Sequence, residues 1–393
     1  MLDYQHRGLL AAKHHTQLRR PDGKGVYYEE CFTRDGFDGP YSILYHAFPT
    51  TDDIELKASQ RGWREPVEAL PADAALKRRL FQTTSLPQGG AMLDARVPVV
   101  FNSDITVLIA RPTKTDDVYF SNGDGDEIAY VFEGSGRLES SFGWIPFRAG
   151  DYVWIPKGCI HRWHLDGESN HVMIFEAPDH FRVPKQFRNA AGQLTMDAPY
   201  SHRDFVRPEG NAWTPDQDRG GPHTIVFKKR GTFSERTMDH HPLDIVGWDG
   251  SVYPVAFAID KYQPKTGLVH LPPTSHITFA GSGFVVCSFV PRIVDFHPDA
   301  IPCPYPHTSV DCDEIILYVK GNFTSRKGVG PGSLSHHPAG VPHGPHPGAY
   351  EKSIGLQRTD ELAVMVDTFK PLKATANAWA VETAEYHSTW APR

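Results

Sequence analysis

The chain has 393 residues, 40% of them hydrophobic, enough for one large core or two ordinary ones. Forty basic against 47 acidic side chains leave a net charge of −7, and no basic run is longer than Lys228-Lys229-Arg230. That balance excludes an electrostatic footprint for nucleic acid or an anionic membrane and points to a small-molecule ligand. Five scattered cysteines (Cys31, Cys159, Cys287, Cys303 and Cys312) show no CxxC spacing, so they read as reduced thiols, neither a disulfide framework nor a zinc site.

Met1 to Arg7 lack a basic region followed by an apolar one, and no window approaches ~18 uninterrupted apolar residues, so a cytoplasmic protein is expected. With 34 Gly and 33 Pro and no long helical periodicity, the pattern predicts many short strands. Residues 1–98 read as an arm or first sheet with a short helix: Arg20-Pro21-Asp22-Gly23 signals a turn, Val26 to Glu30 a strand, and Glu65 to Phe81 carries Ala, Leu, Lys and Arg at helical spacing.

From residue 99 the pattern becomes strand and turn, as in a jelly roll: Ile105 to Ala110, Glu127 to Glu133, and Asp151 to Ile155. This unit, 99–180, has a second copy. Asp126 to Gly134 resembles Asp313 to Gly321, and Pro156-Lys157-Gly158-Cys159-Ile160-His161 resembles Pro338-Ala339-Gly340-Val341-Pro342-His343. The expected fold is therefore mainly β with few helices: a bicupin of two related jelly-roll-like barrels, the second over 240–393, joined by a wrapping connector at 181–239. The first copy has no histidine where His307 stands in the second, so it is expected to be metal-free, with Glu127 and His161 as hydrogen-bonded remnants.

In the second copy His307, Glu314 and His343 would meet on neighbouring strands as a 2-His-1-carboxylate face. That face leaves metal positions open for substrate and oxygen, as in non-haem Fe(II) oxygenases, although the ligands alone also suit Mn(II) or Zn(II). His336, His337 and His346 are extra imidazoles nearby. His337 is the favoured one for orienting a ligand or contacting substrate, and His346 reads as a loop residue.

The run Pro304-Tyr305-Pro306-His307, then Glu314, then Ser333 to His337 and Pro342-His343-Gly344-Pro345, resembles homogentisate 1,2-dioxygenase, in particular its shorter bacterial type. His15-Thr16-Gln17, Ser42 to His46 and His241 to Gly250 are similar to that family too, so the likeness covers most of the chain. It implies His307, Glu314 and His343 as Fe(2+) ligands and a catalytic histidine in the loop before Ile277, taken as His276. It also implies O2-dependent cleavage of homogentisate to maleylacetoacetate in tyrosine and phenylalanine catabolism, and a homo-oligomer, trimer or hexamer. Where longer members carry a tyrosine and a lysine near the substrate, this chain aligns Phe323, which cannot donate a hydrogen bond, and Arg326, which can grip a carboxylate with two. Another para-hydroquinone (hydroquinone, gentisate or a substituted homogentisate) therefore stays open as substrate. So does a cupin isomerase or decarboxylase that uses no oxygen.

Overall fold

The computed structural model describes residues 3–52, 54–73, 75–214, 222–323 and 325–391. Short β-branched and aromatic runs bounded by Gly and Pro become strands, and the α-helices among the described residues are two single turns, Ala349–Ser353 and Ala376–Trp379. The protein is mainly β, as expected.

The first barrel is two sheets packed face to face. One is eight-stranded, with Asp151–Ile155, Asp126–Glu133, His171–Ala177 and Thr106–Ala110 side by side at its centre; the other is seven-stranded and runs from Gly143–Arg148 to Glu55–Ala58. The second barrel rests on a six-stranded sheet in which Asp313–Lys320 lies between Ser333–His337 and Leu362–Thr368. The two copies are built alike: Asp126–Glu133 is likewise flanked by Asp151–Ile155 and His171–Ala177. Opposite the second sheet, the wall of the second barrel is reduced to a ladder, Arg292–Ile293 with Arg358–Thr359, and a bridge between His307 and His343. Prolines at 298, 302, 304, 306, 338, 342, 345 and 347 supply no N–H to a ladder, which keeps that wall as loops.

Alternation along Asp313–Lys320 decides what faces the site. Ile315 and Leu317 enter the core shared with the first barrel, so Glu314, Ile316 and Tyr318 point to the opposite face. The barrels meet through Tyr152 and Trp154, whose rings lie 5.5 and 5.9 Å from that of Phe279, and the Tyr152 hydroxyl reaches Ser288 at 2.9 Å.

Three expectations differ from the structure. No helix spans the described part of 65–81: Pro66 and Pro71 interrupt it, Ala69 donates its N–H to Ala374, and Arg79–Gln82 is a strand paired with Ser333–His336. The connector does more than wrap, because His223–Lys229 and Thr232–Met238 extend the seven-stranded sheet of the first barrel. The opening of 240–393 also lies elsewhere: Ile245–Gly250 joins an N-terminal sheet and Val255–Ala258 the first barrel, so strands of the second begin at Ile277.

The first barrel holds a cation of its own. Glu127, the counterpart of Glu314, is fully buried and takes Arg96 Nη1 at 2.5 Å and Asn122 Nδ2 at 2.8 Å. Burial pushes the Glu127 carboxyl up, but the Arg96 guanidinium beside it holds it below the usual carboxylate range. The rings of Trp63 and Phe120, in edge contact with each other at 5.9 Å, both lie against that guanidinium, at 4.7 and 4.9 Å. His161 turns Nδ1 to the Cys159 carbonyl at 3.0 Å and its buried Nε2 has no hydrogen-bond partner, so Arg96 and Asn122, not His161, hold Glu127. Replacing Arg96 with Met strands a buried carboxylate, and a loss of about 3–5 kcal/mol is expected in chemical denaturation. Adding Glu127→Gln to that variant is expected to recover most of the loss.

Candidate metal centre

Two loops and one strand build the cluster. His307 and His343 exchange backbone hydrogen bonds, His307 N–H to the His343 carbonyl at 2.8 Å and His343 N–H to the His307 carbonyl at 2.9 Å, so two Pro-rich loops are locked in one register. Their rings then lie 4.3 Å apart. Glu314 comes from the strand beneath, whose start is pinned by Asp313: its carboxylate takes the Ala339 and Leu372 N–H groups at 2.8 Å each and meets His336 at 3.1 Å. Glu314 Oε2 is 3.9 Å from His307 Nε2 and 3.7 Å from His343 Nε2, and one ligand atom from each of the three residues falls within 4.8 Å of the others.

The polar atoms are arranged for an ion between them. His343 Nδ1 donates to the Val341 carbonyl at 2.8 Å, which leaves Nε2 as a lone pair, and that buried atom has no hydrogen-bond partner. His307 Nδ1 faces the Tyr305 carbonyl at 3.5 Å in the same sense. Glu314 Oε1 is taken from behind by His337 Nδ1 at 2.7 Å, so Oε2 is the oxygen turned to the imidazoles. Burial raises the Glu314 carboxyl, yet the His337 and His343 contacts hold it well below the usual range. Two imidazole lone pairs and one carboxylate oxygen suit a divalent first-row metal and leave one side of it to the cavity.

The residues singled out in the sequence divide into two groups. His276, His307, Glu314, Phe323 and Arg326 line one cavity. His337 does not: it is fully buried behind Glu314, with Tyr386 Oη 3.3 Å from its Nε2, so it touches the carboxylate ligand, not the pocket. Burial drives its pKa down to about 3 despite Glu314. His346 is buried too, stacked at 3.7 Å on Trp390 and bonded to Thr389 at 2.6 Å, and so anchors the C-terminal segment under the site. Arg326 reaches the Gly344 carbonyl and is no surface charge.

His276 is buried beside Phe289, its Nδ1 without a partner, and burial with the charges of Arg292 and His270 pushes its pKa down to about 3. The sequence reading missed His270, Arg292 and Asp367. His270 borders the cavities on both sides of the cluster, with Asp295 3.8 Å from Nδ1. Asp367 is the cross-strand neighbour of Glu314, and burial and that neighbour raise it to about 7. The available signal was position: His270 lies two residues before Pro272 in a loop, and Arg292 follows Pro291 at the start of a two-residue strand. A larger cleft between the barrels, by Tyr130, Arg148, Tyr262 and Lys320, carries no such cluster among the described residues.

Alanine at His307, Glu314 or His343 is expected to cut bound metal from about one per chain to below about a tenth, read by metal analysis after dialysis. His337→Phe is expected to keep the fold and weaken metal binding about 10- to 100-fold in a chelator competition. In metal-free protein, His276 and His337 stay neutral in the fold down to about pH 3, whereas in the unfolded chain they take up protons below about 6.5. Their stabilising contribution is therefore full above about pH 6.5 and declines as the pH falls towards 3. His276→Asn is expected to flatten that slope in denaturation curves taken between about pH 6.5 and 4.

The family description "Homogentisate 1,2-dioxygenase N-terminal" matches residues 99–259. A protein of Saccharolobus solfataricus, provisionally named a dioxygenase, is 35% identical over 393 residues, covering 99% of each chain. Homogentisate 1,2-dioxygenase of Bradyrhizobium diazoefficiens is 25% identical over 291 residues, 70% of this chain and 63% of that one; the Dictyostelium discoideum enzyme is 24% identical over 64% and 58%. The matched stretch thus spans under two thirds of those two relatives. Among solved structures, Bacillus subtilis oxalate decarboxylase aligns with 76% of this chain and 80% of its own at 9% identity, with a TM-score of 0.34 that carries no argument. On the full-length relative and the homogentisate dioxygenase matches together, the chain belongs to the homogentisate 1,2-dioxygenase family of oxygenases.

Proposed function

We propose that the chain is an Fe(II)-dependent dioxygenase that opens the ring of homogentisate to maleylacetoacetate, as in tyrosine and phenylalanine breakdown. The observation that carries this reading is the cluster of His307, Glu314 and His343, the first two of which line a cavity that also holds the imidazoles of His270 and His276. Bound there, Fe(II) would supply the one-electron chemistry that O2 needs to react with an aromatic ring.

The chain's own residues do the rest. Phe289 and Phe323 flank the flat ring, and Ile316, Ala363 and Met365 exclude water from it. Phe323, in edge contact with Tyr318 at 4.7 Å, acts as a wall. Arg326 places positive charge at the cluster end, where anionic forms of the substrate gain most. Of the two imidazoles, His276 was the candidate from its loop, but the surroundings favour His270 as the group that takes the phenolic proton. Asp295 is there to stabilise His270 once protonated, whereas His276 has no partner and resists protonation more strongly. His276 then contributes Nδ1 as a hydrogen-bonding wall of the cavity. A trimer or hexamer is part of the same proposal, supported by exposed apolar side chains such as Phe37, Val67 and Leu70. No described helix is long and apolar enough to cross a membrane.

The test is oxygen uptake by protein loaded anaerobically with Fe(II) and given homogentisate, gentisate or hydroquinone. One O2 consumed per homogentisate, with a product heavier by two oxygen atoms, is expected; full iron with uptake only on another ring would reassign the substrate. His270→Asn is expected to lower kcat by about 10²–10⁴-fold with iron retained, and His276→Asn to act mainly on KM. The reverse pattern would exchange their roles.

A further inference from the structure

We propose that Arg292 determines substrate specificity: its guanidinium, steadied by Glu361, receives an anionic oxygen of the ring substrate at the end of the cavity away from the metal cluster. The proposal rests on the ring-dioxygenase reading of the same site and adds a residue to it.

The two arginines of the cavity serve different ends. Arg326 reaches the carbonyl of Gly344, the chain neighbour of His343, which places it at the cluster. Arg292 lines, with His270 and His276, an adjoining cavity that none of the three cluster residues borders, which places it with those imidazoles. Arg292 stands on a short ladder, paired with Thr359, and Glu361 follows two residues later, so both side chains rise from fixed backbone. Both border the cavity, with 14% and 15% of their side-chain surface left exposed.

The hydrogen bonds of Arg292 are long and leave capacity unused. Nη1 reaches the Val290 carbonyl at 3.3 Å, and Nη1 and Nη2 share a single oxygen, Oε1 of Glu361, at 3.4 Å. A committed guanidinium–carboxylate fork closes to about 2.7–2.9 Å with two oxygens. A largely desolvated guanidinium with five donors and such loose partners gains from an anionic oxygen entering the cavity. A para-hydroquinone held by one hydroxyl at the cluster directs its second oxygen, or an acid side arm, towards this end. The shared chemistry is an anionic oxygen, either a carboxylate or the distal phenolate.

Three ligands separate those sources: homogentisate carries both groups, hydroquinone lacks the carboxylate, and 2-hydroxyphenylacetate lacks the distal oxygen. Their binding to the Fe(II)-loaded protein is measured anaerobically by titration calorimetry, without turnover. Arg292→Gln is expected to weaken homogentisate at least about tenfold with iron content unchanged, and Arg292→Lys to restore part of the loss. Of the two analogues, loss for 2-hydroxyphenylacetate alone identifies the carboxylate as the group received, and loss for hydroquinone alone the distal oxygen. Glu361→Gln, which frees the guanidinium, is expected to keep or improve affinity; if it weakens binding as much as Arg292→Gln does, the pair is structural and the proposal falls. Unchanged affinities in Arg292→Gln would overturn the proposal alone. Wild-type protein that binds none of the three would overturn the functional reading and the proposal with it.

Discussion

A fully buried carboxylate that stays ionised must be surrounded by donors or cations, and Glu314 imposes that demand on the whole second barrel. Its strand fixes one face towards the cavity, His337 takes one oxygen from behind, and Tyr386 reaches the far nitrogen of His337. The C-terminal turn Tyr386–Trp390, packed on His346, is thereby tied to the chemistry through a chain of three side chains. In front, the reciprocal backbone bonds of His307 and His343 bring two lone pairs to the second oxygen. A divalent metal is the group that would satisfy all three at once.

The first barrel solves the same problem differently. Its strand frame matches, and Glu127 sits where Glu314 sits, yet Arg96 supplies the positive charge and Asn122 the nearby donor. An internal guanidinium balances that carboxylate, and among the described residues no third metal-ligating side chain joins Glu127 and His161. The reduced outer wall of the second barrel gives the cavity its access.

Much of this was legible in the sequence, and the reason is locality. The repeat of Asp-Glu followed by six strand residues and Gly, and of Pro-x-Gly before the histidine segments, encodes strand period and turn chemistry within a few residues, so Glu314, His307 and His343 could be named together. What failed depended on distant partners. Helical spacing in 65–81 lost to Pro66, Pro71 and a strand partner some 250 positions away at Ser333. His337 looked like a pocket residue because its neighbour in sequence is the site, but strand register turned it behind Glu314. His270 lies in a loop and Arg292 on a two-residue strand, neither with a period to betray which way it faces, and Arg96 is separated from Glu127 by two strands. Barrel boundaries were misplaced because hairpins from the connector complete the first barrel's sheet, a pairing that local pattern does not encode.

The most direct test of the metal centre is anomalous X-ray diffraction at the iron edge from crystals loaded anaerobically with Fe(II). A single strong peak per chain, bounded by His307 Nε2, His343 Nε2 and Glu314 Oε2, with none beside Arg96, is the expected result. A peak held by other side chains, or a second of equal height against Glu127 and His161, would contradict both the assignment of the centre and the role of Arg96 as the first barrel's own cation.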